Sequence, residues 1–169
     1  MECEDGIRGY AEPLRRPALK GRDTCIIRQW IEAGRAIAEN EHAIAFVADY
    51  SYGKGHCLVC PKAHLRSITE LDRETGADML ALASELIQKI KEKLRPAYLV
   101  VYQSEGLSSY ETNPETKHFE HLHIQIVPTY EGKEVLVRKD VADAHKGKFE
   151  LGKKWLGQEE LKETMELLK

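Results

Sequence analysis

The densest chemistry in the chain lies in the run His118-Phe119-Glu120-His121-Leu122-His123-Ile124-Gln125-Ile126-Val127-Pro128. From His121 onward polar and apolar residues alternate strictly, the period of a β-strand with two unlike faces. Positions two apart on a strand share a face at a spacing of roughly 7 Å. His121, His123 and Gln125 therefore project together from one side, and Leu122, Ile124 and Ile126 face the core on the other. His118 and Glu120 fall on the opposite parity and are expected to precede the strand proper.

Two plainer readings stand beside a catalytic one. These side chains could coat the wet face of a half-exposed strand, although Thr, Lys or Glu would serve solubility better than two histidines and a glutamine. A His-x-His pair on a strand also suits zinc, with further ligands drawn from His64, Cys57, Cys60 or His56. Cys57 and Cys60, three apart on a presumed strand, would point to opposite faces, a spacing that suits zinc on a turn and not on a strand.

The elements around this segment are legible in outline. Residues 1–23 are polar, contain Pro13 and Pro17, and read as an arm. Ile26 to Ala33 predicts one or two helical turns stopped by Gly34. Short strands are expected at Ala36–Glu39 and Ala43–Ala48, then a glycine-bearing loop, Tyr50 to Gly55. His56 to Cys60 reads as a buried strand ended by Pro61. Ser67 with Glu70 has the capping-box form for a long helix, whose core stripe is Met79, Leu82, Leu86 and Ile90. That helix should stop before Pro96. Further strands are expected at Tyr98–Gln103, Phe119–Val127 and Glu134–Arg138, with a polar loop from Leu107 to Lys117 and a last amphipathic helix carrying Leu161, Met165 and Leu168. Several strands around one long helix predict an α+β domain, an antiparallel sheet backed by a helix.

Bulk properties narrow the function classes. The chain has 169 residues, 42% hydrophobic and 31% charged, which fits one soluble domain. A formal net charge of -3 gives no global basic field for nucleic acid, so nucleic acid is not an expected partner. No apolar run is long enough for a transmembrane helix, so no membrane partner is expected. No secretory signal is visible, and the four cysteines Cys3, Cys25, Cys57 and Cys60 read as reduced thiols of a cytoplasmic protein.

Three blocks in order resemble the histidine triad (HIT) superfamily. His121, His123 and Gln125 fill the three polar places of its His-apolar-His-apolar-His motif. Gly55-His56-Cys57-Leu58-Val59-Cys60-Pro61-Lys62-Ala63-His64 is similar to its glycine-His strand ending in Pro-Lys-x-His. Ala43 to Asp49 resembles the preceding strand, which ends in a ribose-binding aspartate. The likeness runs from about Cys25 to Pro128. Gln125 in the third place resembles the branch with galactose-1-phosphate uridylyltransferase and dinucleoside polyphosphate phosphorylases, and also some domains linked to RNA processing. The chain departs from the family elsewhere. Ser104-Glu105-Gly106 replaces a common Asn-x-Gly turn, the loop after Asp49 is one residue short, and Cys25 lacks the second cysteine of an N-terminal Cys-x-x-Cys.

The resemblance implies a HIT-like fold over 24–130, with 131–169 a strand and helix extension on the same domain, and a homodimer paired through the long helix and an edge strand. It implies a nucleotide hydrolase or nucleotidyltransferase in which His123 attacks the α-phosphorus and forms a nucleotidyl-histidine, with His121 setting its geometry. Covalent catalysis of this kind splits one hard displacement into two easier ones. Gln125 can donate to a phosphate oxygen but cannot carry a proton, so the site should favour leaving groups that are already acidic. Asp49, Ser108, Ser109 and His118 are the residues expected to meet the substrate. No cofactor is expected to be required, and a metal is left open. The alternatives are a nucleotide-binding or RNA-processing-associated HIT-like protein with little turnover, and a metal-dependent hydrolase.

Overall fold

A computed structural model describes residues 25–103, 121–131 and 154–169. The chain enters through α1 (Ile26–Glu32), then β1 (Ala38–Glu39), β2 (Ala43–Val47), β3 (Tyr50–Ser51) and β4 (Cys57–Pro61). A single turn of 3-10 helix (Ile68–Glu70) leads into α2 (Arg73–Leu94), followed by β5 (Tyr98–Tyr102), β6 (Ile124–Thr129), β7 (Lys154–Trp155) and α3 (Gln158–Leu168). Residues 1–23 and 134–138, and Ser108, Ser109 and His118, lie outside the described residues.

Five strands form one antiparallel sheet in the order β1-β2-β4-β6-β5, with α2 against one face, so the expected α+β architecture holds. Alternation along the strands sorts side chains into two apolar layers. Ala43, Ala45, Val47, Cys57, Val59, Leu122 and Ile126 meet the α2 stripe of Met79, Leu82, Leu86 and Ile90. Ile44, Phe46, Ala48, Leu58 and Cys60 face the other way and meet Ile27 and Trp30 of α1. Trp30 stands edge-on to Phe46, ring centroids 5.4 Å apart, a favoured aromatic geometry.

The start of α2 differs from the expectation. Ser67 caps only the 3-10 turn, accepting from the Thr69 N–H, and Glu70 accepts from the Arg66 N–H. The true N-cap is Asp72, whose carboxylate accepts from the Thr75 N–H at 2.7 Å. Aspartate is among the strongest caps, and it lies directly before the run of good helix formers that the stripe requires. The other end behaves as proline chemistry demands. α2 closes at Leu94, Arg95 takes a left-handed conformation (φ 46), and Pro96 follows. Strand bounds shift by a few residues: β4 includes Pro61, and β6 begins at Ile124 and runs through Pro128 to Thr129.

α3 packs on its own chain, against α2 and β2, with Leu168 fully buried in the main core. The strand before it, β7, pairs antiparallel with β3, and the Leu156 N–H donates to the carbonyl of Asp49 at 2.8 Å. Two-residue strands leave too little alternation to be visible in sequence, and this small sheet was not expected.

Candidate active site

Gln125 lies on the face of β6 opposite α2, whereas His121 and His123 precede β6 and do not sit on the strand as expected; they still alternate with Leu122, which faces the α2 core. That face is not wet. His121, His123 and Gln125 are 2%, 3% and 4% exposed, so the solvated-face reading fails. Buried polar groups are costly unless hydrogen-bonded, and here each has a defined partner.

The backbone fixes both histidine tautomers. His121 Nε2 lies 2.8 Å from the carbonyl oxygen of Pro61, and a carbonyl only accepts, so Nε2 carries the proton. Its Nδ1 is then an acceptor, 3.2 Å from the Cys25 sulfur, which donates its S–H. His123 Nδ1 lies 2.9 Å from the carbonyl oxygen of His121 and donates to it. Neutral His123 thus carries its lone pair on Nε2. The Leu122 N–H donates to the Leu65 carbonyl, pinning the backbone between the two histidines to the segment that carries His64. Burial, followed by the charges of His64 and Arg28, holds the His121 pKa below the ordinary histidine value against the raising effect of its Pro61 bond. His121 is therefore a neutral spacer at pH 7.

Gln125 sits between neighbours on both adjacent strands, opposite Leu58 of β4 and Tyr102 of β5. Its side-chain oxygen accepts from the Tyr102 hydroxyl at 2.9 Å and from His56 Nε2 at 3.2 Å. Tyr102 carried no signal as a site residue, since only the β5–β6 register brings it there.

Asp49 lies at the end of β2, where its carboxylate meets the Arg35 guanidinium at 3.3 Å. Arg35 also reaches the Val47 carbonyl and lies over the Trp30 ring, 4.2 Å from its centroid, a cation–π contact. The aspartate expected to meet a ribose is thus held by a cation, a partner that sequence did not suggest. Ser108, Ser109 and His118 lie outside the described residues.

A possible metal centre differs from the one expected. Among the described residues, Cys25, His64 and His121 place one ligand atom each within 4.8 Å of one another, with the His64 and His121 rings edge-on at 5.0 Å. His123, His56, Cys57 and Cys60 are not in this group. Cys57 points into the α2 core and Cys60 under α1, and burial pushes both thiols far up, which makes them poor ligands. One sulfur and two imidazoles suit zinc, and His121 Nδ1 is available because Nε2 is spent on Pro61. A cation held by Cys25, His64 and His121 would supply a fixed positive charge behind His121.

A family model described as the HIT domain matches residues 32–132. An uncharacterized 16.1 kDa HIT-like protein of Mycoplasma pneumoniae is 35% identical over 95 residues, 56% of this chain and 62% of that relative, so the match spans under two thirds of its length. The adenosine 5'-monophosphoramidase of Schizosaccharomyces pombe is 30% identical over 54% of this chain and 62% of its own. AP-4-A phosphorylase of Mycobacterium tuberculosis is 28% identical over 60% of this chain and 49% of its own. The crystal structure of a Hit-like protein from Bartonella henselae shares the fold with a TM-score of 0.64 at 21% identity, covering 88% of this chain and 96% of that one.

Proposed function

This chain belongs to the histidine triad family, and from that premise we propose that it cleaves the α-phosphate linkage of nucleoside phosphates through a nucleotidyl-histidine on His123. The observation that carries the reading is the hydrogen bond from His123 Nδ1 to the His121 carbonyl, which leaves Nε2 as the attacking atom. In the first step that lone pair forms a nitrogen–phosphorus bond as the bond to the leaving group breaks, and the leaving group departs with its electron pair. Water, or an acceptor phosphate, then attacks the same phosphorus and returns the electron pair to Nε2. Water yields a mononucleotide and makes the protein a hydrolase. A phosphate acceptor makes it a transferase.

Gln125 donates its amide N–H to the charge that develops on the phosphoryl oxygens. Asp49, Ser108, Ser109 and His118 are assigned to substrate binding in the same reading. The names of the two relatives, adenosine 5'-monophosphoramidase and AP-4-A phosphorylase, support nucleotide chemistry of this class. The absence of a proton donor at position 125 favours phosphate leaving groups over amines. A hydrolase built on a metal held by His121 and His123 has less support, because the clustered ligands include His121 and leave His123 out. Among the described residues no helix is long and apolar enough to cross a membrane.

The test is incubation with a panel of adenine and uridine nucleotides, dinucleoside polyphosphates, nucleotide sugars and a nucleoside phosphoramidate. Wild type and His123→Ala run side by side, quenched at alkaline pH and read by intact mass. A nucleotidyl mass on wild type alone is expected. Unchanged turnover in His123→Ala overturns the nucleophile, and binding without turnover in wild type points to a nucleotide-binding role.

A further inference from the structure

Gln125 is useful to a phosphate only if its amide points the right way round. An amide presents an acceptor on one arm and a donor on the other, and a half-turn about its last bond exchanges them. In a buried site, an oxygen turned toward a phosphate would repel the charge that the nitrogen should stabilise.

Two neighbours remove that freedom. The Tyr102 hydroxyl and His56 Nε2 both converge on Gln125 Oε1. His56 is committed to donating there, because its Nδ1 accepts from the Tyr52 N–H at 3.3 Å and cannot also carry the proton. His56 is 1% exposed and its ring lies beside that of Tyr52, with centroids 5.5 Å apart, so it is held on both sides. Turning the amide over would set its NH2 against the His56 N–H and forfeit a buried hydrogen bond. The three residues come from three adjacent strands or their ends: Tyr102 is the direct partner of Gln125 on β5, and His56 lies two residues before Leu58, its partner on β4. The nitrogen Nε2, which can only donate, is the atom left for a ligand.

From this geometry we infer that Tyr102 and His56 are positioning residues that turn Gln125 into a one-way donor toward the reacting phosphate. The inference rests on the nucleotidyl-histidine reading. The clamp acts through Gln125 and not on the substrate, so its contribution vanishes when Gln125 is gone. It follows that the clamp serves the rate of nucleotidyl transfer more than the binding of the nucleotide, since the phosphoryl charge grows only as the bond to the leaving group breaks.

A double-mutant cycle on the rate of nucleotidyl-histidine formation tests this, with rapid quench and intact mass as the readout and the best nucleotide of the panel as substrate. Tyr102→Phe keeps the ring and removes one donor. The expected result is about a tenfold slower first step with KM changed less than kcat, the size of one lost buried hydrogen bond. In a Gln125→Ala background the same change should cost nothing. His56→Asn is the second variant, with His56→Gln, whose longer side chain can bring its NH2 to where the imidazole Nε2 stood, as its rescue. Thermal melts confirm that each protein is folded. An equal loss from Tyr102→Phe with and without Gln125 overturns the inference, as does a wild-type rate in both Tyr102→Phe and His56→Asn. No nucleotidyl adduct on wild type overturns the underlying reading instead.

Discussion

Gly55 stands where β4 leaves its loop, one residue before His56, and replacing it with alanine should damage the fold in a way that can be dissected. Its φ is +82, a left-handed conformation that costs an L-residue about 1–2 kcal/mol. A Cβ there would also run into Leu94 Cδ1 at the end of α2 and come within 3.2 Å of Pro128 Cγ on β6. The leucine tip can swing aside. Pro128 is fixed in the sheet and cannot, so β4 and β6 must part slightly at the end that carries His56. Overpacking of this kind costs about 1–3 kcal/mol. The sum, about 2–5 kcal/mol, corresponds to a fall in Tm of about 4–20 °C for a domain of this size. Gly34 isolates the conformational part: its φ is +65, but a Cβ there meets nothing within 4 Å. Gly34→Ala should therefore cost only that conformational part, about 1–2 kcal/mol. Gly53 is open and outside the left-handed region, so Gly53→Ala should be neutral, or stabilising by about 0.5 kcal/mol through the unfolded chain. Urea unfolding of the three variants measures all three numbers. If Gly55→Ala costs no more than Gly34→Ala, the tight packing between the start of β4, β6 and α2 is not what the structure describes.

Other outcomes follow from single features. Leu168→Ala empties a fully buried position between α3 and the main core and should cost about 2–5 kcal/mol in the same urea assay; a change below about 1 kcal/mol would mean that α3 does not seal that core. The hydrogen bond that His42 Nδ1 donates to the Asp78 carboxylate, followed by nearby acidic charge, raises the His42 pKa above the ordinary histidine value. Its stabilising contribution is therefore present in full below about pH 6.5 and lost as pH rises through the folded value. The Tm difference between wild type and His42→Gln should accordingly shrink between about pH 6 and pH 8, and a difference that grows would refute the pairing. Zinc supplied at equimolar amount and then dialysed should be retained by wild type and lost from Cys25→Ser and His64→Ala, as read by elemental mass spectrometry; equal retention in all three proteins would reject the cluster. β5 is a terminal strand among those described, and it exposes Tyr98 and Val101. If the chain dimerises through that edge, Val101→Lys should shift its sedimentation toward the monomer, whereas an unshifted dimer would place the interface elsewhere.

The part of the site that sequence displays is the part governed by the two-residue period. Alternation alone puts His121, His123 and Gln125 on one face, and the Met79 to Ile90 stripe likewise fixes α2. Burial of these residues is not legible, because their neighbours are brought by the fold: Cys25 lies 96 residues from His121 in sequence and meets it only in three dimensions. The missing second cysteine of a Cys-x-x-Cys makes Cys25 look unemployed, whereas folding supplies it with two histidines. Tyr102 and Arg35 are invisible for a related reason: a tyrosine on a β-rich run and an arginine after a helix are commonplace until register and packing say what they face. Ser67 and Glu70 show the reverse failure. Their spacing matches a cap for the long helix, but Asp72 lies closer to the helical run and forms the stronger bond.

The tie between β7 and the Asp49 region has a consequence for the order in which the molecule comes together. Residues 154–168 close on residues 43–51 and on α2, so a later-made part of the chain completes structure begun more than a hundred residues earlier. β6 and β4 are nearer in sequence and can pair before that happens. Contacts of such long range are slow to form, because the intervening chain must first surrender its loop entropy. On the ribosome, the sheet would therefore exist for a time with its α2 flank unsealed and the carbonyl of Asp49 still lacking Leu156, and a ligand that grips Asp49 would find its final footing only after α3 has emerged and docked.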